Sequence, residues 1–408
     1  MQQLNNSTIK MKLANIVLAT TITLLFGVSC SEVTVDEPVK QEYFMKFYGN
    51  YHSDFLYDLA VNTEEEIVLT GYRDTEEGIE EGWLIKTDSY GMIDWKEKIE
   101  GNTNSRIYGL LIDGSVYCSG YREVEGSSGK EGFLYQYNSK GDLLDTLAFD
   151  IQVDKIKDMK FLVNDNNTRI LAHVNRNGTD QVYIYGLAKT DSVSLLATNQ
   201  LPGIIDGKIN FHELKNGNVY ITGSLKEDDE EGQTDIMLSH LVDNNISWTY
   251  IFGEDEKSER ASGIIMHNNY LYVAASNHQN GNPGSSEVYL LQLTQDGVET
   301  DTMNVSLTGS NVPADMLYYE DNRFVIVGDR KEDKKNSDIF MSVISDEGET
   351  LIEKSYGYKG LSGGKIAVKL PSGQQGYIIA GDITTSPLSP DAVDVLVIKA
   401  NENGEWID

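Results

Sequence analysis

From about residue 42 onward, apolar and polar side chains alternate in short runs, and nowhere do they hold the three-and-four spacing of a helix for a useful length. Period-2 runs of this kind predict strands. One type of run recurs: LTGYRD (69–74), CSGYRE (118–123), LAHVNRN (171–177), ITGSLKE (221–227) and IVGDRKE (326–332). In most copies an apolar stretch meets a small residue and then a basic one. Taking the small residue as the mark gives Gly71, Gly120, Ala172, Gly223, Ala275, Gly328 and Gly381, separated by 49, 52, 51, 52, 53 and 53 residues.

Each mark is followed by a polar loop and a second apolar run, for example GWLIKTD (82–88), GFLYQYN (132–138), EVYLLQL (287–293) and DVLVIKA (394–400). Most of these end in a Gly-containing turn such as DSYG, NSKG, TQDG or NENG, after which a third run follows, and a further strand precedes the mark. The unit is therefore four short strands, repeated seven times. An isolated unit cannot bury both of its faces, so the expected fold is all-β, a seven-bladed β-propeller with four-stranded blades. EYFMKFYGN (42–50) reads as a fourth strand without a unit of its own, while the last unit stops at GEWID. Residues 43–48 are thus predicted to complete blade 7 and close the ring, removing two free sheet edges.

Composition narrows the possibilities. With 33 Lys+Arg against 64 Asp+Glu, the formal net charge of −31 argues against a nucleic-acid partner, whose phosphates need a basic face. Residues 1–29 read as a leader: Lys10 and Lys12, then an apolar core, then GVSC, the whole too short for a comfortable membrane span. The GVSC ending resembles a bacterial lipoprotein box, which implies lipidation of Cys30, with 30–41 as a tether and 42–408 as the propeller; Gly27 departs from the leucine usual there. A plain secretory leader that leaves Cys30 behind is the other reading. Membrane contact would be through the lipid anchor only. Cys118 is the only other cysteine, so no disulfide framework is expected if Cys30 is lipidated.

Two columns of cations stand out. Just past the second strand of the units lie Arg73, Arg122, Arg176, Lys226, His278 and Arg330, with Ile383 in the seventh. Entering the first strand lie Arg106, Lys155, Lys208, Arg260 and Lys365, with Phe55 and Val312 breaking the pattern. At 33 Lys and Arg in 408 residues, chance places well under one in any column of seven. In a propeller both columns belong to one face, which predicts a basic funnel in an acidic body, with Tyr51, Tyr72 and Tyr121 as aromatic walls. The competing expectation is that these cations pair with acidic neighbours, as YRD, YRE and DRKED would allow.

Other chemistries find no support. The six histidines are scattered without metal-ligand spacing, and no nucleophile elbow, phosphate loop or dinucleotide fingerprint occurs. No enzyme activity, metal or cofactor is expected. The repeat resembles the large class of bacterial propellers with a "dG..l.G" strand followed by "d..l.k.d..G...w", across essentially all of 42–408. With the leader, the chain resembles surface propeller lipoproteins that work beside TonB-dependent outer-membrane transporters and capture ferric siderophores; the corrinoid-capturing group has shorter blades of another type. That resemblance implies an outer-membrane, surface-exposed location and an anionic ligand, a ferric catecholate siderophore, passed to the transporter. A glycan-binding or glycan-degrading propeller, or a structural partner without a small ligand, are the alternatives.

Overall fold

The computed structural model describes residues 41–406, apart from 50–51, 100, 127–128, 165–166, 189–191, 227–232, 255, 280–285, 332–336, 358–361, 372–373 and 387–388. Cys30, the leader and the tether lie outside the described residues, as does Tyr51. The compact unit spans Glu42–Asp408 and consists of seven four-stranded antiparallel sheets. We label the strands of each blade A to D. The A strands are Asp54–Val61, Ser105–Ile112, Lys155–Asn164, Ile205–Glu213, Lys257–His267, Ser310–Tyr318 and Ser362–Lys369 in blades 1 to 7. Each packs on the A strand of the next blade, and that of blade 7 returns to that of blade 1, so the A strands ring the axis.

The closure matches the expectation from the sequence. Phe44–Tyr48 runs antiparallel to Ser389–Ala400 as the outermost strand of blade 7, with Phe44 opposite Lys399 and Tyr48 opposite Val395.

The alternation seen in the sequence has a simple spatial meaning: successive residues of a strand face opposite neighbouring blades. Seven apolar clusters result, one in each interface between blades. Blade 1 sends Ile67 and Leu69 toward blade 7 and Val68 toward blade 2. No blade has a core of its own, which is why the pattern is apolar on both faces of the middle strands. Polar locks join the same interfaces. The hydroxyls of Ser105, Ser258 and Ser310, near the start of their A strands, accept from the backbone N–H groups of Gly82, Thr234 and Ser286 at 3.0, 3.2 and 3.0 Å.

One departure from regular pairing matters for function. Every A strand slips register against its B strand, between Leu56 and Asp58, Ile107 and Gly109, Ile156 and Asp158, Asp206 and Asn210, Ala261 and Gly263, Pro313 and Asp315, and Gly364 and Ile366. Six of these are single-residue bulges. Blade 4 is wider: Gly207, Lys208 and Ile209 stand opposite Gly223 alone, and Gly207 takes φ +84°, a conformation that suits glycine. The slip also explains the recurring small residue. A Cβ on Gly71, Gly120 or Gly328 would fall within 2.1 Å of the carbonyl oxygen of Phe55, Arg106 or Val312 across the bulge.

Candidate functional site

The bulges build an axial cavity of about 580 Å³. Its wall includes the bulge residues Tyr57, Lys157, Ala314 and Lys365 and the blade 4 insertion Gly207–Lys208. Arg106 and Lys155, before the bulges of blades 2 and 3, and Lys226 complete its charged lining, with Asp206 as its one carboxylate. Six cations and one acid therefore line it, in a protein of net charge −31, and four of the six also pair with carboxylates. Leu56, Ile156, Ile204 and Ile205 supply apolar wall.

Of the residues expected from the sequence, Arg106, Lys155, Lys208, Lys226 and Lys365 come together around this cavity. Arg73, Arg122, Arg176, His278, Arg330, Arg260, Tyr72 and Tyr121 are not among its lining. Arg73 pairs with Asp54 at 2.7 Å, Arg122 with Glu131 at 2.6 Å, and Arg330 with Glu353. Arg176 meets the Tyr183 hydroxyl at 3.3 Å. Arg260 shares Asp206 with Lys226, at 3.4 and 3.2 Å. His278 sits opposite Ser258, and burial, with Arg260 and Lys331 nearby, lowers its pKa. Tyr72 lies beneath the Arg106 guanidinium, 4.2 Å from ring centre to Cζ, and stacks on Phe55 and Tyr57; Tyr121 is buried beside Tyr108.

The ladder also corrects the columns. The residues equivalent to Arg73 are Arg122, Arg176, Leu225, Asn277, Arg330 and Ile383, since Gly223 and Ala275 each stand where Gly71 does. Lys226 and His278 fall one position later and face the other way. In blade 3 the place of Gly71 is held by Val174, opposite Ile156, rather than by Ala172. Lys365 is a bulge residue, equivalent to Tyr57 and Lys157, and Gly363 occupies the place of Arg106.

The cations that do line the cavity are unequal. Arg106 is held by both Glu80 oxygens and donates to the Tyr57 hydroxyl at 2.7 Å. Lys157 reaches buried Asp180 at 2.6 Å, and Lys365 pairs with Asp382 while donating to the Leu56 carbonyl at 3.1 Å. Among the described residues neither Lys155 nor Lys208 has a carboxylate within 4.0 Å; Lys208 donates only to the Lys365 carbonyl, at 3.3 Å. Burial, with Lys160 and Lys365 close by, lowers the Lys208 pKa.

A second compartment of about 190 Å³ lies against Lys208, lined also by Asp58, Lys160 and Asp315. Asp58 and Asp315 follow the bulges of blades 1 and 6 and accept from the next blade, at Leu110 N (2.9 Å) and Ala367 N (3.0 Å). Asp58 also pairs with Lys160 at 2.9 Å. Asp158, at the same place in blade 3, bonds Met159 N through one oxygen and leaves the other buried without a partner. Burial raises the pKa of both Asp158 and Asp315.

Comparison with protein families and with curated proteins finds no match. Among solved structures the chain is similar to the β-propeller domain of the Trilobed protease from Pyrococcus furiosus, described as having an open velcro topology (9% identity, 89% of this chain and 97% of that one, TM-score 0.53). It is also similar to YCF48 bound to D1 peptide (10%, 89% and 99%, TM-score 0.50), and to a protein of unknown function from Dyadobacter fermentans (13%, 88% and 98%, TM-score 0.47). At such identities the likeness to the first two shows the fold alone, a β-propeller, here with seven four-stranded blades.

Proposed function

We propose that the propeller is a binding module that captures an anionic small molecule in the axial cavity. The observation that carries this reading is the set of six cations around 580 Å³ in a chain of net charge −31. A cavity of that size lies within the range of small-molecule sites, and low-dielectric walls focus converging charge. Together with the lipoprotein-like leader, this favours a surface-tethered protein, anchored at the outer membrane through Cys30. Its ligand in this reading is a ferric catecholate siderophore, aromatic and multiply anionic, handed to a TonB-dependent transporter. Capture without catalysis is the proposed role.

A glycan-binding role would call for a tryptophan platform, and none of the four tryptophans is among the cavity lining. The test is titration of the full chain with a ferric tris-catecholate, read by calorimetry and by tryptophan fluorescence. Binding should weaken between 0.1 and 1 M salt, as the screening length falls from about 10 to about 3 Å. No heat and no fluorescence change would sink the siderophore assignment.

A further inference from the structure

The cations of the cavity divide into those already committed and those still available. Arg106, Lys157, Lys226 and Lys365 each hold a carboxylate of the protein. Lys155 and Lys208 do not, among the described residues. The two stand at different depths. Lys155 is exposed and opens the A strand of blade 3. Lys208 borders both the 580 Å³ cavity and the 190 Å³ compartment, its ammonium 3.3 Å from the Lys365 carbonyl. The rest of the wall includes Leu56, Ile156, Ile204, Ile205 and Ala314.

We propose that Lys208 receives one carboxylate of a ligand at the floor of the cavity while Lys155 receives a second at the mouth, so that the site selects a linear aliphatic dicarboxylate over a monocarboxylate. A point-charge ammonium suits a single carboxylate oxygen, and the apolar walls suit a methylene chain. The inference rests on the axial cavity being an anion seat, but not on the siderophore as its occupant.

The surroundings of Lys208 say why the deep contact is selective. It faces Asp158 and Lys160 from blade 3, Asp315 from blade 6, Lys365 from blade 7 and Asp58 from blade 1, with Asp206 on its own strand. Burial and the neighbouring cations make it easier to deprotonate than an ordinary lysine. An incoming carboxylate favours its charged form, so dicarboxylate affinity is greatest where Lys208 is protonated and is lost as pH rises through its lowered pKa.

The experiment is calorimetric titration of the full chain with succinate, glutarate, adipate and suberate, with butyrate as the single-charge control. One chain length should bind best, and butyrate should bind at least on the order of tenfold more weakly, since it forgoes one charged hydrogen bond. Lys208→Met and the exposed Lys155→Met should each cost on the order of tenfold or more for the best dicarboxylate and bring it level with butyrate. Lys208→Arg should restore part of the affinity and shift its loss to higher pH. Equal binding of butyrate and every dicarboxylate, an unchanged affinity in Lys155→Met, or no dicarboxylate binding overturns the proposal. Ferric catecholate binding by a chain that takes up none of the dicarboxylates would reject the dicarboxylate site and leave the siderophore reading standing. The reverse result would reject the siderophore alone.

Discussion

The cations past the B strands and those at the A-strand bulges recur around the same ring, yet what surrounds them differs. Arg73 and Arg122 sit in regular ladder positions, so a side chain on a paired strand lies directly beside each of them: Asp54 across from Arg73, Glu131 across from Arg122. Their charge is absorbed on the spot. Lys157 is a single bulge residue with no partner-strand residue opposite it, and Lys208 is one of three residues that share Gly223. They turn to the axis, and Lys208 meets only a carbonyl. An acid directly across the ladder neutralises Arg73 and Arg122, whereas the blade 4 bulge leaves Lys208 without one among the described residues.

Three variants break or sharpen this contrast. The largest effect is expected from Asp58→Ala. That side chain accepts from Leu59 N and Leu110 N and holds Lys160, all within 3.1 Å. Removing it strands an ammonium in the lower compartment and opens the link between blades 1 and 2. A loss of about 3 kcal/mol, the low end for breaking a buried pair, should appear in urea unfolding.

A smaller, pH-dependent effect belongs to Glu259, the converse case of a carboxylate without a cation on it. It is 2% exposed and one of its oxygens has no hydrogen-bond partner; burial, with Asp235 and Glu254 nearby, pushes its pKa up to about 7. The folded state thus keeps a proton that the unfolded chain gives up near 4.5. Stability from this group is full below about 4.5 and is lost as pH rises to about 7. Glu259→Gln should flatten that decline, by a fraction of the about 1.4 kcal/mol per pH unit that one proton supplies, in melts recorded across the window.

The smallest effect is expected from Arg122→Gln. This arginine is outside the cavity lining and makes a half-exposed pair with Glu131, so anion capture should stay within about twofold of the parent and the fold should persist. A collapse of binding would show that the outer column belongs to the site after all.

The fold was legible because period-2 alternation, turn glycines and a spacing near fifty residues all describe the same unit, and the unpaired run at 42–50 called for closure. The bulge residues of the cavity wall were less so. Aligning the entries of the A strands assumes an unbroken ladder, and the bulges add a residue there that no composition signal marks. Lys157 went unnoticed for that reason: it is two residues past Lys155, a position that regular alternation treats as part of the strand. The blade 4 insertion left one trace, the IDGK stretch at 205–208, where a glycine interrupts an A strand. Whether a given arginine is paired depends on Glu131 or Glu353, which belong to other strands and cannot be matched to it before the register is known.

The seam at Phe44–Tyr48 sets an order of events during synthesis. Phe44 leaves the ribosome 355 positions ahead of Lys399, its eventual neighbour (399 − 44), so the first strand made is the last to find a place. Until then the nascent toroid is an open arc with one sheet a strand short. Blades 1 to 6 can assemble progressively, each on its predecessor, but the final latch waits for the far end of the chain, and that long-range step is where slow or faulty maturation would concentrate.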